Sequence, residues 1–199
     1  MAVIGCSYVK VAKYTASGNT VTYSDPAMIA KLVRVNISLD DNNDNDFRAD
    51  NDVDETDNTF QGGTVEIGTN DLTNEASALI LGLASDEITG ITGITDEGVE
   101  EIVFDDRQNT PYLGLGVVIK HKRNGAYVYT GLVLTKIMFK IPADAAETQG
   151  KTISWQTPTI TAKIQKDDTL NHAWKKKATF STEAQALAYI NARTGGVAA

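Results

Sequence analysis

The chain has 199 residues, 42% of them apolar, enough for one domain with a substantial core and no need of staples. Eighteen Lys and Arg stand against 26 Asp and Glu, a net charge of −8 that argues against specific binding of duplex DNA. A single cysteine, Cys6, excludes an intrachain disulfide framework and agrees with folding in a reducing cytoplasm. The start Met1-Ala2-Val3-Ile4-Gly5 lacks the basic and apolar regions of a secretory signal, and no apolar run is long enough to span a bilayer.

Apolar and polar residues alternate from Tyr8 to Tyr14, the turn-forming Ser17-Gly18-Asn19 follows, and Thr20–Tyr23 completes a predicted hairpin. In the next strand, Leu32–Leu39, period-2 alternation puts Val33, Val35, Ile37 and Leu39 on one face. An acidic arm then interrupts the sheet. Between positions 40 and 57 lie Asp40, Asp41, Asp44, Asp46, Asp50, Asp52, Asp54, Glu55 and Asp57, with Arg48 as the one base. The local charge, 1 − 9 = −8, equals that of the whole chain, so the remainder is balanced. Like charges in a block repel, and the arm (40–60) is expected to stay extended and to serve as an interaction segment.

Thr64–Gly68 returns to the sheet, and Asp71-Leu72-Thr73 starts a helix whose stripe is Ala76, Leu79, Ile80 and Leu83. Gly82, costing about 1 kcal/mol inside a helix, marks its end. The short echo Gly90-Ile91-Thr92-Gly93-Ile94-Thr95 reads as loop or short strand. The strongest strand signal runs from Tyr112 to Ile141. Leu113, Leu115, Val117 and Ile119 share a face, Asn124-Gly125 is a type I′ turn, and Tyr127, Tyr129, Leu132, Leu134, Ile137, Phe139 and Ile141 fill the return. Strands at Thr152–Thr157 and Thr159–Ile164 are separated by Pro158. A last helix has Thr182 and Gln185 as capping box, Ala184, Leu187, Ala188 and Ile190 as buried stripe, and Gly195-Gly196 as its stop. The elements describe a mainly β single domain with two short helices.

Reactive chemistry is sparse. His121 and His172 lie apart with no acid partner in a shared motif and read as polar surface histidines. Cys6 sits in an alternating strand with no base beside it and reads as an inert thiol. Gly114-Leu115-Gly116 begins like a dinucleotide fingerprint, but Ile119 holds the third glycine position and strand continues where a helix must start. Those glycines mark a bend, or a place where another backbone packs closely, instead. Calcium is the one metal to weigh. Asp40–Asp44 offers oxygens at positions 1, 3 and 5 of an EF-hand loop, yet Asn45 replaces the glycine at position 6 and Asn51 the closing glutamate. A second frame from Asp50, Asp52 and Asp54 closes on Gln61. A solvated or partner-facing arm is the better reading of these carboxylates. Lys175-Lys176-Lys177 reads as a solvated strand face, or as a basic surface for an acidic neighbour.

Several segments, in order, resemble the major tail protein (tail tube protein) family of long-tailed phages and prophages of Gram-positive bacteria. They are Val21-Thr22-Tyr23-Ser24, Phe60-Gln61-Gly62-Gly63-Thr64-Val65-Glu66-Ile67-Gly68, Asn70-Asp71-Leu72-Thr73-Asn74-Glu75 and Pro111-Tyr112-Leu113-Gly114-Leu115-Gly116-Val117. Gly150–Ile160, Trp174-Lys175 and Phe180–Ala186 complete the set, which covers nearly the whole chain. The Asp/Asn run at 40–46 is richer than that family pattern.

The resemblance implies a single tail-tube domain (1–199) with a β-sandwich or barrel-like body, a flanking helix, a short C-terminal helix and the acidic arm. It implies a structural virion protein rather than an enzyme, without cofactor. Hexameric rings would stack into the tube that conducts the genome, made in the host cytoplasm and located in the virion tail. Partners would be copies of itself, tail tip or terminator and tape-measure proteins, and double-stranded DNA in transit without specific binding; no membrane is involved. The arm would meet bases at a ring-to-ring contact, the candidates being Lys120, Lys122, Arg123, Lys175, Lys176 and Lys177. The alternative, from another class, is a β-sandwich binding module with a calcium or ligand site in the acidic loop.

Overall fold

The computed structural model describes residues 2–40, 46–50, 52–56, 59–88, 91, 93, 99–106, 108–143, 148 and 157–195. Twelve strands and two helices occur among them. In chain order they are β1 (Ala2–Ser17), β2 (Thr20–Ala30), β3 (Leu32–Leu39), β4 (Asp46–Ala49), β5 (Asp52–Thr56) and β6 (Gly63–Thr69). Helix α1 (Asn74–Leu81), β7 (Ser85–Glu87), β8 (Glu100–Ile102), β9 (Leu113–Arg123) and β10 (Ala126–Phe139) follow. The chain closes with β11 (Thr159–Gln165), β12 (Lys175–Phe180) and α2 (Glu183–Arg193). The mainly β class expected from the sequence is the one observed.

One antiparallel sheet of eight strands dominates, with spatial order β2-β1-β9-β10-β11-β6-β3 and β12 paired to β10 off that path. Strand β10 organises it. One edge pairs with β9 along nearly its full length; the other pairs first with β12, from Tyr129 to Leu134, then with β11, from Lys136 to Phe139. The sheet curls over on itself. Val9 and Val11 of β1 share a core with Val65 and Ile67 of β6, Leu113, Leu115 and Val117 of β9, and Ile160, Ala162 and Ile164 of β11. The curl also brings the Cys6 thiol 3.8 Å from the Val33 carbonyl, so the far end of the path returns to β1. Burial on this scale, at about 1.5–3 kcal/mol per large apolar side chain, is the main stabilising term.

Helix α2 covers the other face of β9, β10 and β12. Thr182 caps it by accepting a hydrogen bond from the Gln185 N–H at 3.4 Å, and Gln185 answers by accepting from Ser181 rather than from the cap itself. Ser7 donates to Glu183 and Lys10 to Asn191, fastening both ends of the helix to β1. The buried side chains are Ala186, Ile190 and Asn191, while Ala184 and Ala188 are exposed, one position out of phase with the expected stripe. Ile190 and the half-buried Leu187, which packs on the same cluster, are shared by both readings; their neighbours are set by where the helix lands. It lands on glycines: a Cβ at Gly116 would meet Ile190 at 3.1 Å, and one at Gly131 would meet Tyr189 at 2.8 Å and the Ala186 carbonyl at 3.1 Å. Side chains rather than another backbone pack on Gly114 and Gly116: the Tyr23 ring lies against Gly114 and Ile190 against Gly116.

Helix α1 follows the sequence closely. Thr73 caps it by accepting from Ala76 at 3.2 Å, and Gly82 ends it at φ 66°. Positive φ at both Asn124 (47°) and Gly125 (83°) is the requirement of a type I′ turn.

One strand face differs from expectation, and a bulge explains it. In β3 the register slips between Leu32 and Arg34, so Leu32, Val35 and Ile37 pack inward and Val33 is 50% exposed. In β10 a slip between Leu134 and Ile137 shifts the inward set from Leu132 and Leu134 to Ile137 and Phe139. Tyr127 and Tyr129 lie on the opposite, α2-bearing face, and Ile141 lies beyond the strand and is exposed. The strand expected at Thr152–Thr157 falls at 151–156 outside the described residues, as do most of the echo at 90–95 and Gly196.

Candidate interaction surfaces

The acidic arm leaves the sheet where β3 and β6 end their pairing at Leu39 and Gly63, closed by the Asp40 N–H donating to the Gly62 carbonyl at 3.0 Å. Beyond that root the described residues of the arm form a ribbon. Strands β4 and β5 pair antiparallel in a sheet of their own, with Asp50 at φ 51° in the turn. Asp and Asn tolerate such backbone and build tight turns, a local preference that outweighs the repulsion of neighbouring carboxylates. The signal was present in Asp50-Asn51 between Phe47-Arg48-Ala49 and Val53. An isolated two-stranded ribbon is marginally stable in water.

Asp46 lies in β4, and Asp52, Asp54 and Glu55 lie in β5. Asp40 and Asp50 are exposed, whereas Asp41, Asp44 and Asp57 lie outside the described residues. Among the described residues no group of three or more His, Cys, Asp and Glu side chains converges as a metal site.

The six candidate bases form two groups. Lys120, Lys122 and Arg123 flank the β9–β10 turn, with the Lys120 ammonium 4.3 Å from the centroid of Tyr127 and 5.7 Å from that of Tyr129. Lys175, Lys176 and Lys177 open β12, where Lys175 and Lys177 are exposed and Lys176 is half-buried on the side of α2. Lys175 alone is brought to the arm: its ammonium stands 4.4 Å from the Trp174 ring, and that ring stacks on Phe60, at the arm's root, at 4.3 Å and 2°. No described carboxylate pairs with any of the six; the described ion pairs are Lys13–Asp25 and Lys136–Asp168.

A polar clasp that the sequence did not disclose holds the loop between β11 and β12. The Tyr14 hydroxyl donates to Asp168 Oδ2 at 2.7 Å and accepts from the Asp168 N–H at 2.9 Å. Lys136 donates to the same Oδ2 at 2.8 Å, with its ammonium near the rings of Tyr112 and Tyr14. Tyr23 donates to the Thr135 carbonyl, and Thr135 to that of Ala173. Asp167 is buried; its Oδ1 accepts from the N–H and hydroxyl of Thr169, while Oδ2 has no partner among the described residues. Residues 154 positions apart meet here, beyond any local pattern.

Burial, reinforced by Asp168, pushes the Tyr14 phenol up to about 12, and burial raises Tyr23 as well. Lys136, then Tyr14, hold Asp168 below the usual carboxylate range. A raised phenol stabilises the fold fully below its unfolded value of about 10 and loses that contribution as pH climbs through 12. The depressed Asp168 acts at the other end: its contribution is present above about 3.9 and lost as pH falls below it. Tyr14→Phe, which removes both hydroxyl bonds, is expected to cost about 1–2 kcal/mol at neutral pH and to flatten the fall of Tm between pH 10 and 12. Wild type and variant melting with the same alkaline profile would refute this assignment.

The two histidines and the cysteine take different places. His121 is not on the surface: it is 9% exposed in β9, and its Nδ1 has no partner among the described residues. Its register opposite Val3 and Val128 puts it on the inward face, following Leu115, Val117 and Ile119 at period 2. His172 is exposed, its Nδ1 3.2 Å from the Asp167 carbonyl. Cys6 is half-buried, and burial pushes its thiol up, the direction of an unreactive sulfur.

At the end of the molecule opposite the β9–β10 turn lies an open cleft of about 1100 Å³, between α1 and β8 on one side and the ends of β10 and β11 on the other. Among the described residues Asp71, Glu100 and Glu101 line it with a single base, Lys140, and with Phe104 and Ile141.

Neither a scan against protein-family models nor a search of curated proteins finds a match to this chain. No helix is long and apolar enough to cross a membrane among the described residues.

Proposed function

We propose that the chain is a structural virion protein, a tail tube subunit whose hexameric rings stack into the conduit for genome ejection. The observation that carries this reading is the incompleteness of the sheet. Among the described residues strand β2 ends the path with one neighbour and β12 pairs only with β10, while an acidic ribbon stands apart from both. Open edges are an aggregation liability in a lone subunit, and closing them with copies of the same chain in a ring removes it. The ordered run of segments resembling tail tube proteins supports the same reading.

In that assembly the arm reaches toward bases of a neighbouring copy. Single exposed charge pairs contribute about 0.2–1 kcal/mol, so the many copies in a tube set register collectively and make stacking sensitive to salt. Net acidity lets duplex DNA pass without capture. The assembled protein belongs to the virion tail. Tail tip or terminator and tape-measure proteins are its other partners.

The test is direct. Purified protein, concentrated or supplied with a tail-tip initiator, is expected to form hollow tubes by negative-stain electron microscopy. A protein that stays monomeric under all these conditions would overturn the proposal.

A further inference from the structure

The β9–β10 hairpin carries its charge in an unusual way. Residues 112–141 contain no Asp or Glu, and three of their bases, Lys120, Lys122 and Arg123, flank the turn. Lys122, Arg123 and Tyr127 are exposed there, and no described carboxylate pairs with either base. The turn therefore projects a positive end with an aromatic ring attached, the Lys120 ammonium lying against that ring.

The acid-lined cleft is the counterpart. Among its described lining residues Asp71, Glu100 and Glu101 outnumber Lys140, and Phe104 and Ile141, 55% and 60% exposed, supply apolar surface beside them. The same hairpin places the two features. Strand β10 has 14 residues, which at about 3.3 Å per residue spans about 45 Å. Its first residue adjoins the basic turn, and Lys140 and Ile141, just past its last, line the cleft.

The geometry points to a head-to-tail contact in which the β9–β10 turn of one copy enters the acidic cleft of a second copy. Lys122 and Arg123 face Glu100, Glu101 and Asp71, and Tyr127 lies against Phe104 and Ile141. A surface at one end meeting a different surface at the other is heterologous, so each added copy presents a fresh turn or a fresh cleft and growth is open-ended. Opposite charge on the two surfaces sets polarity, since turn against turn and cleft against cleft both repel. The inference rests on the reading of the chain as a self-assembling subunit and supplies a longitudinal contact distinct from the acidic arm.

Charge reversal tests it on exposed positions. One variant carries K122E and R123E, the other E100K and E101K; unchanged melting temperatures confirm that both fold. Each alone is expected to self-associate at least ~tenfold more weakly than wild type in sedimentation velocity at low salt. An equimolar mixture is expected to recover association, because the acidic turn of one fits the basic cleft of the other in an alternating series. If either variant associates like wild type, or the mixture does no better than its components, the contact is overturned while the tube proposal stands. A wild-type chain that never associates overturns both.

Discussion

Removal of residues 40–58 is expected to abolish tube growth and leave a cooperatively folding subunit. The local geometry makes the deletion mild for the body. Leu39 still pairs with Gly63, so joining Leu39 to Thr59 leaves Thr59-Phe60-Gln61-Gly62 as a four-residue connection between β3 and β6. Hairpin loops of four residues are common, and Phe60 stays within the connection that brings it to Trp174. Deletion also removes the whole net charge of −8, which makes the loss of assembly informative: the remaining body is balanced and free of that repulsion. Micrographs and sedimentation of the deletion variant beside wild type decide the matter. Tubes of normal length from the deleted chain would remove the arm from the assembly mechanism.

Gly131→Val is expected to be among the most damaging single substitutions in the body. A Cβ there meets the Tyr189 ring at 2.8 Å and the main-chain carbonyl of Ala186 at 3.1 Å, and the carbonyl cannot swing aside as a flexible side chain would. Helix α2 must lift from β10, loosening the cluster of Val118, Val133, Ala186 and Ile190. Overpacking of this kind costs about 1–3 kcal/mol. In a denaturant titration the midpoint is expected to fall without a change in slope. Gly125, whose missing Cβ faces open space but whose φ is 83°, is a useful contrast, since Gly125→Val acts only through backbone strain. A Gly131→Val chain as stable as wild type would show that α2 is not seated as described.

Much of the architecture follows from local pattern. The period-2 run at Leu113, Leu115 and Val117, the Asn124-Gly125 turn, and the Thr73 and Thr182 caps each form through contacts within a few residues, so a linear reading finds them. The face of Val33 was misassigned for a physical reason. A bulge adds a residue to one strand only, and its position depends on the partner's register. His121 follows the same logic: period 2 in β9 carries it inward, but only the curl of the sheet makes that face an interior.

Charge was legible along the chain and not in space. Composition alone located the whole net charge of −8 in one arm and showed 112–141 to be free of acids. The stack of Phe60 on Trp174, which seats Lys175 at the root of the arm, depends on contacts between distant segments. So do the clasp of Tyr14, Lys136 and Asp168 and the acid-lined cleft opposite the basic turn. Strand period, turn chemistry and caps are short-range preferences written residue by residue, and they determined the class of fold and its elements. Which surfaces face one another was decided by the packing of the curled sheet, because burial acts on the whole chain and is blind to sequence distance.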